Sequence, residues 1–241
     1  MDISLEGRTA LVTGSAVGVG RETLLTLARA GANVCVHYRN SKDAAMQTLH
    51  DARELGVKAE AYPVDVTEPE AVKKMIGDIE TNFGGLDILV NNIGDYKIGN
   101  IAQYSIEDWH WMLDSNLNAT WYTCHYALPG MRDRKRGAIV NTGTAGIAFA
   151  GAKVNATPYH IAKQGVVMLT RSLAANEIQH GIRINMICPG QLEGTIEPNP
   201  VLPSGRFGKH EEIANTVLFL VSDYASYITG STVEVGGGYG L

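Results

Sequence analysis

The sequence predicts an α/β protein built on a doubly wound parallel sheet with helices on both faces. Three observations carry this expectation. Short apolar runs alternate with longer amphipathic stretches along the chain. The short runs are continuously apolar, as in Thr9-Ala10-Leu11-Val12 and Ile88-Leu89-Val90, which suits strands buried on both faces. Several of them close on Gly or Asn, where the chain turns towards the next helix.

In order, Thr9–Val12 reads as the first strand. A helical pattern follows from Arg21 to Ala30, with Leu24, Leu25, Leu27 and Ala28 apolar and Gly31 ending it. Val34–Val36 is a second strand, and Ser41 opens a helix towards Leu55. Lys58–Tyr62 is strand-like, and Ala71–Phe83 is helical up to Gly84-Gly85. Ile88–Val90 ends in Asn91-Asn92. Ser105-Ile106-Glu107-Asp108 resembles a capping box and begins one long helix towards Leu128. Ala138–Asn141 is a strand. Thr157 reads as an N-cap with Pro158 as the first helical residue of a helix reaching about His180. Ile182–Ile187, a helix over Glu211–Val221 and a strand over Ser231–Val235 complete the alternation. No low-complexity linker divides it, so residues 1–241 read as one domain.

The net charge of −5 argues against general affinity for nucleic acid or acidic membranes. Arg132, Arg134, Lys135 and Arg136 read as a solvated helix end, where cations suit the dipole. Cys35, Cys124 and Cys188 lie in apolar stretches without metal-ligand spacing, so no metal site is expected; buried free thiols are, in a reducing compartment. With no signal-peptide pattern and no apolar run long enough for a bilayer, a cytoplasmic location is the expectation.

Two motifs carry chemistry. Gly14-x3-Gly18-x-Gly20 lies between a buried strand and a helix, where glycines let the backbone approach a pyrophosphate resting on the helix N-terminus. This is the dinucleotide-binding form of the fold, a Rossmann-type sheet. The end of the second strand, His37-Tyr38-Arg39-Asn40-Ser41, offers a base where NAD-binding chains place an acid, and so favours NADP(H) over NAD(H). The second motif is Tyr159-x3-Lys163. Tyrosine and lysine one helical turn apart make a proton donor, the ammonium lowering the phenol pKa. Tyr38-x3-Lys42 has the same spacing but flanks the adenosine end.

Together these residues resemble the short-chain dehydrogenase/reductase family over essentially the whole chain. The resemblance rests on Thr13–Gly20, Asp65-Val66-Thr67, Asn91-Asn92-Ile93-Gly94, Asn116, Tyr159-x3-Lys163 and Pro189-Gly190. It implies a single domain with about seven parallel strands, and dimers or tetramers formed through the two long helices. It further implies a cofactor site comprising Gly14, Ser15, Val17, Gly18, Val19, Tyr38, Arg39, Asn40 and Ser41. Asp65 and Val66 would lie at the adenine, and Asn92, Ile93 and Gly94 beside the ribose, with Tyr159 and Lys163. Pro189, Gly190 and Thr195 would hold the nicotinamide.

The family's catalytic tetrad maps to Asn116, a serine position, Tyr159 and Lys163. Thr144 stands where the serine belongs; its hydroxyl offers the same donor and acceptor, while its methyl narrows the pocket. The implied chemistry is hydride transfer between nicotinamide and a carbonyl or secondary alcohol, with Tyr159 as general acid/base. Substrate contacts are expected from Asp95-Tyr96-Lys97, Ile147-Ala148-Phe149 and a short loop at about 191–203, stiffened by Pro198, Pro200 and Pro203. That short loop predicts an open site, or one completed by a neighbour.

The closing run Gly205-Arg206-Phe207-Gly208 to Glu211-Glu212-Ile213-Ala214, then Tyr227-Ile228-Thr229-Gly230, is similar to 3-oxoacyl-carrier-protein reductases. An acyl-carrier thioester docked on Arg132–Arg136 is therefore one candidate substrate, with His180 at the second basic position; other ketones and alcohols are the alternative. The substitution at Thr144 leaves open a different class, a catalytically impaired NADP-binding sensor or scaffold.

Overall fold

In the computed structural model, which describes residues 3–147, 151–194 and 202–239, the apolar runs form strands β1 (Thr9–Val12), β2 (Asn33–Tyr38), β3 (Ala59–Pro63), β4 (Ile88–Asn91), β5 (Gly137–Thr142), β6 (Ile182–Pro189) and β7 (Thr232–Val235). They pair in the order β3-β2-β1-β4-β5-β6-β7, every pair parallel. Strand order reverses between β1 and β4. In such sheets the crevice beyond the carboxyl ends of those two strands is the ligand site.

Side chains alternate across the sheet and build two cores. Ala10 and Val12 of β1 point to one face, with α1 (Gly18–Arg29), α2 (Lys42–Glu54) and α7 (His210–Val221) packed on it through Leu24, Leu27, Ala45, Ile213 and Val217. Leu11 points to the other face. There α3 (Pro69–Phe83), α5 (Ala119–Arg134) and α6 (Thr157–Glu177) contribute Val72, Met75, Leu128 and Ala174. All three cysteines are free and buried. Among the described residues no helix is long and apolar enough to cross a membrane.

Three local expectations are corrected. The expected straight helix from Ser105 is α4 (Ile106–Leu113), a π-helical turn over Asp114–Asn118, and then α5, which runs on to Arg134. Ser105 does cap its start, its hydroxyl accepting from the Asp108 N–H at 3.0 Å. The π turn holds Asn116, whose amide nitrogen donates to the Asp95 carbonyl at 2.9 Å and the Met112 carbonyl at 3.0 Å. Wide turns of this kind often mark functional sites.

Thr157 is not the cap of α6. The turn closed by the Ala156 N–H on the Lys153 carbonyl puts Ala156 at the cap position. Thr157 is already helical, and its hydroxyl donates to that same carbonyl at 2.7 Å.

The basic run is not a solvated helix end either. Arg132 pairs with the fully buried Glu177 of α6, Arg134 with Glu80 of α3, and Arg136 with Asp87 just before β4. These arginines tie α5 to its neighbours. Glu177 and Asp87 are buried carboxylates, and each needs such a partner.

Candidate active site

The crevice has two ends, and the first is built on the glycine turn. Gly14 and Gly18 both adopt left-handed backbone, with φ of +65° and +58°, which only glycine enters without strain. At Gly20 a Cβ would fall 2.3 Å from the Gly14 carbonyl oxygen, so the turn packs directly on the first turn of α1. Val17 precedes α1 without a side-chain cap, which leaves the first N–H groups of the helix open to an anion.

His37 braces this turn from below. The Gly14 N–H donates to His37 Nδ1 at 3.0 Å, and the Ser15 N–H donates to the His37 carbonyl at 3.0 Å. The His37 N–H donates to Ser15 Oγ at 2.9 Å. Because Nδ1 accepts, the proton resides on Nε2, which donates to the Val64 carbonyl at 2.9 Å. Burial pushes the His37 pKa down to about 4, so the ring stays neutral in this role. From β4, the N–H groups of Asn92 and Ile93 both donate to Thr13 Oγ1, at 2.9 and 3.2 Å, and the Asn92 amide donates to the Thr13 carbonyl at 3.0 Å.

Above this frame lies a cavity of about 280 Å³. Gly14, Val17, Tyr38, Arg39, Asn40 and Ser41 line it, together with Asp65, Val66 and Ile93. Arg39 stands at its rim, with Nη1 3.5 Å from Asp65 Oδ2. Burial would raise the Asp65 pKa, but hydrogen bonds from Thr67 and the Arg39 guanidinium hold it below the usual range. The residues present therefore suit a dinucleotide. Five expected contacts, Ser15, Gly18, Val19, Asn92 and Gly94, are not brought to the cavity wall. Ser15 is wholly buried and engaged by His37, Val19 packs inward on the core, and Asn92 braces the turn. Thr195 lies outside the described residues, as do Ala148 and Phe149.

The second end is positioned by a buried polar chain at the carboxyl edge of the sheet. Thr123 of α5 donates to Asn91 Oδ1 at 2.6 Å, the Asn91 amide donates to Asn141 Oδ1 at 2.9 Å, and the Asn141 amide donates to Thr170 of α6 at 2.9 Å. This chain registers α5 and α6 against β4 and β5. Beyond it, Gly143 lies so close to β6 that a Cβ would meet Met186 Cε at 2.4 Å and Cys188 Sγ at 2.6 Å. Only glycine lets the loop after β5 pass there and turn Thr144 into the crevice.

The four tetrad positions converge. Thr144 and Tyr159 both line a cavity of about 450 Å³ together with Pro189 and Gly190. Tyr96 and His160 pack edge-on against the Tyr159 ring, with centroids 4.8 and 5.4 Å away. Lys163 is buried behind it, its Nζ donating to the Thr142 carbonyl at 2.9 Å. A Cβ on Gly94 would fall 2.3 Å from Asn116 Oδ1 and 2.9 Å from Lys163 Nζ, so glycine there lets both side chains approach one point. Asn116 Oδ1 is buried without a partner, which suits a place for a bridging water.

The electrostatics depart from the sequence reading. Burial pushes the Tyr159 pKa up to about 12, against the Thr144 hydrogen bond, which pulls it down. Burial pushes Lys163 down to about 8. Lys163 Nζ, bonded to a backbone carbonyl, lies over the Tyr159 ring, 5.6 Å from its centroid. Of Asp95-Tyr96-Lys97, only Tyr96 reaches this cavity; Asp95 accepts from Trp111 Nε1 at 2.9 Å, and Lys97 pairs with Asp108. The lookalike pair separates as expected: Tyr38 lines the adenosine cavity, and Lys42 opens α2.

Sequence reasoning missed His37, Lys153 and His160. A histidine inside an apolar strand must find buried partners, and that was the available signal for His37.

A glycine-turn crevice at the strand-order reversal, with a tyrosine–threonine pair at its far end, defines a dinucleotide-dependent oxidoreductase of the doubly wound class. The family model described as enoyl-(acyl carrier protein) reductase matches residues 14–240. The chain belongs to the short-chain dehydrogenase/reductase family, whose members use a nicotinamide cofactor. It is 35% identical to the 3-oxoacyl-[acyl-carrier-protein] reductase FabG of Staphylococcus aureus, over 96% of this chain and 97% of that protein. It is 37% identical to the cyclohexanol dehydrogenase of Acinetobacter sp., over 99% and 97%. Among solved structures, a protein from Sinorhizobium meliloti assigned as a short-chain alcohol dehydrogenase superposes with a TM-score of 0.91 at 33% identity, covering 98% of this chain and 97% of that one.

Proposed function

We propose that the protein is an NADP(H)-dependent oxidoreductase acting on a carbonyl or secondary alcohol, with Tyr159 as general acid/base. The observation that carries the reading is that Thr144 and Tyr159 open into one cavity with Pro189 and Gly190. Gly14, the first turn of α1 and Arg39 would hold the dinucleotide, Arg39 meeting a 2′-phosphate at the adenosine rim. The bound nicotinamide supplies or accepts the hydride.

In reduction, Tyr159 Oη gives its proton to the substrate oxygen as negative charge develops there. The Thr144 hydroxyl donates to the same oxygen and stabilises that charge. A tyrosine with a pKa near 12 is held protonated, which suits the acid role; approach of the Lys163 ammonium to the phenol would make the reverse, base role accessible. Asn116 Oδ1 would hold a water through which Lys163 exchanges protons with solvent.

The relatives include reductases of 3-oxoacyl thioesters and a dehydrogenase of a small cyclic alcohol. The engagement of Arg132, Arg134 and Arg136 in internal ion pairs leaves less basic surface for an acidic carrier, which favours a small free substrate. Trp121, Ile161 and Met168 are exposed on α5 and α6, which supports dimers or tetramers formed through those helices.

The test is NADPH oxidation against a panel of ketones including a 3-oxoacyl thioester, with NADH in parallel and Tyr159→Phe as control. Turnover that survives in Tyr159→Phe would remove the role given to Tyr159, and preference for NADH would remove that of Arg39. A cofactor-binding sensor, the reading motivated by Thr144, would bind NADPH and turn over nothing.

A further inference from the structure

We propose that the substrate carries an anionic group, a carboxylate or phosphate ester, which Lys153 and His160 bind at the wall of the Tyr159 cavity; this rests on the carbonyl-oxidoreductase reading above. Both residues line the cavity into which Thr144 and Tyr159 open, and among the described residues no Asp or Glu lines it. Lys153 is thus the charged side chain among the described residues of that wall.

Lys153 is also a cation without a carboxylate. Among the described residues its ammonium makes no ion pair or hydrogen bond, whereas Lys97 pairs with Asp108. Its backbone is nonetheless well placed. The Lys153 carbonyl accepts from the Ala156 N–H at 3.1 Å and from the Thr157 hydroxyl at 2.7 Å, anchoring the residue to the start of α6. His160 lies in the next turn, its ring against Tyr159.

Burial, and then the Lys153 charge, hold the His160 pKa below its ordinary value. The His160 imidazole beside Lys153 is thus held towards its neutral form, which can donate a hydrogen bond. An unpaired cation in a concave wall draws anions, and a neutral donor beside it gives the anion a second contact. A neutral ketone leaves both contacts unmade. A substrate with an acid group would be held by that group at the wall while its carbonyl oxygen meets Tyr159 and Thr144. Affinity and orientation would then come from the same contact.

The experiment compares three ketones that differ only in one terminal group: a neutral ester, a carboxylate and a phosphate ester. Each is assayed by NADPH oxidation with wild type, Lys153→Gln and Lys153→Arg. Wild type is expected to favour one anionic member, and the carboxylate and phosphate arms show which. Lys153→Gln should lower kcat/KM for that member roughly tenfold, mainly through KM, the scale of one lost charge-assisted hydrogen bond. Lys153→Arg should restore most of it. NADPH fluorescence titration should give equal cofactor affinity in all three proteins.

A wild type that prefers the ester, or a Lys153→Gln variant whose anionic-to-neutral ratio is unchanged, overturns the inference and leaves the reductase reading standing. Loss of cofactor binding in Lys153→Gln also overturns it, because Lys153 would then act through the fold. A wild type that binds NADPH and oxidises it with no ketone removes the underlying reading, and the inference with it.

Discussion

The two ends of the crevice are built by opposite rules. At the glycine end the framework is satisfied: His37 engages both ring nitrogens, and Thr13, Ser15 and Asn92 are all bonded to backbone. At the reaction end, Asn116 Oδ1 and Thr142 Oγ1 are buried without partners, and Lys163 and Tyr159 have strongly displaced pKa values. A satisfied network holds one geometry, which suits a cradle that must fit an invariant ligand. An unsatisfied one has polar capacity left for substrate, water and proton transfer. The contrast separates where stability resides from where chemistry resides.

The contrast is broken most directly at Tyr159. Tyr159→Phe should lower kcat by about 10²–10⁴-fold, the scale of lost general acid catalysis, with NADPH affinity unchanged in a fluorescence titration. If affinity fell with kcat, the two ends would not be separable. Thr144→Val should cost about 10²-fold in kcat, as for one oxyanion donor, while Thr144→Ser keeps most activity in steady-state assays. Equal rates for Val and Ser would make the hydroxyl irrelevant and leave Thr144 a packing residue.

The satisfied end is tested through stability. Unfolded, His37 titrates near ~6.5; folded, it titrates at about 4. Between these values the unfolded chain binds more protons, so stability contributed by the neutral imidazole is present above the upper value. It is lost as pH falls towards the lower one, by up to about 3 kcal/mol. Urea unfolding across that window should show the loss in wild type and a flatter profile in His37→Asn. The same slope in both would assign the acid sensitivity elsewhere.

The smallest effect is expected at the rim. Arg39→Gln should raise KM for NADPH roughly tenfold and leave NADH nearly unchanged, since one exposed charge contact is removed. Asp65, freed from Arg39, would sharpen that discrimination.

Much of the scaffold was legible because burial on both faces leaves a mark in the chain. Continuous apolar runs such as Ile88–Val90 suit central strands, and Gly14 and Gly18 announce a backbone that turns left-handed. The π turn at Asn116 was not legible, since one extra residue in a helical turn leaves the apolar pattern around it almost unchanged. The start of α6 was misread at Thr157 because a threonine hydroxyl can accept at a cap or donate to the preceding turn, and the Lys153–Ala156 turn chose the second. Arg132–Arg136 looked like solvated charge because their partners, Glu177, Glu80 and Asp87, are distant in sequence.

The sequence by itself determined the fold and the place of the glycine turn, because periodicity and motif spacing are local properties of the chain; Asn116, Thr144, Tyr159 and Lys163 it offered as candidates through resemblance to a family. Only the tertiary structure decided what surrounds those groups. Burial shifts the tyrosine and lysine pKa values, His37 braces the glycine turn, and Lys153 and His160 come together at one wall of the cavity. Desolvation and Coulomb interactions depend on distances through space, and the order of residues along the chain does not contain them.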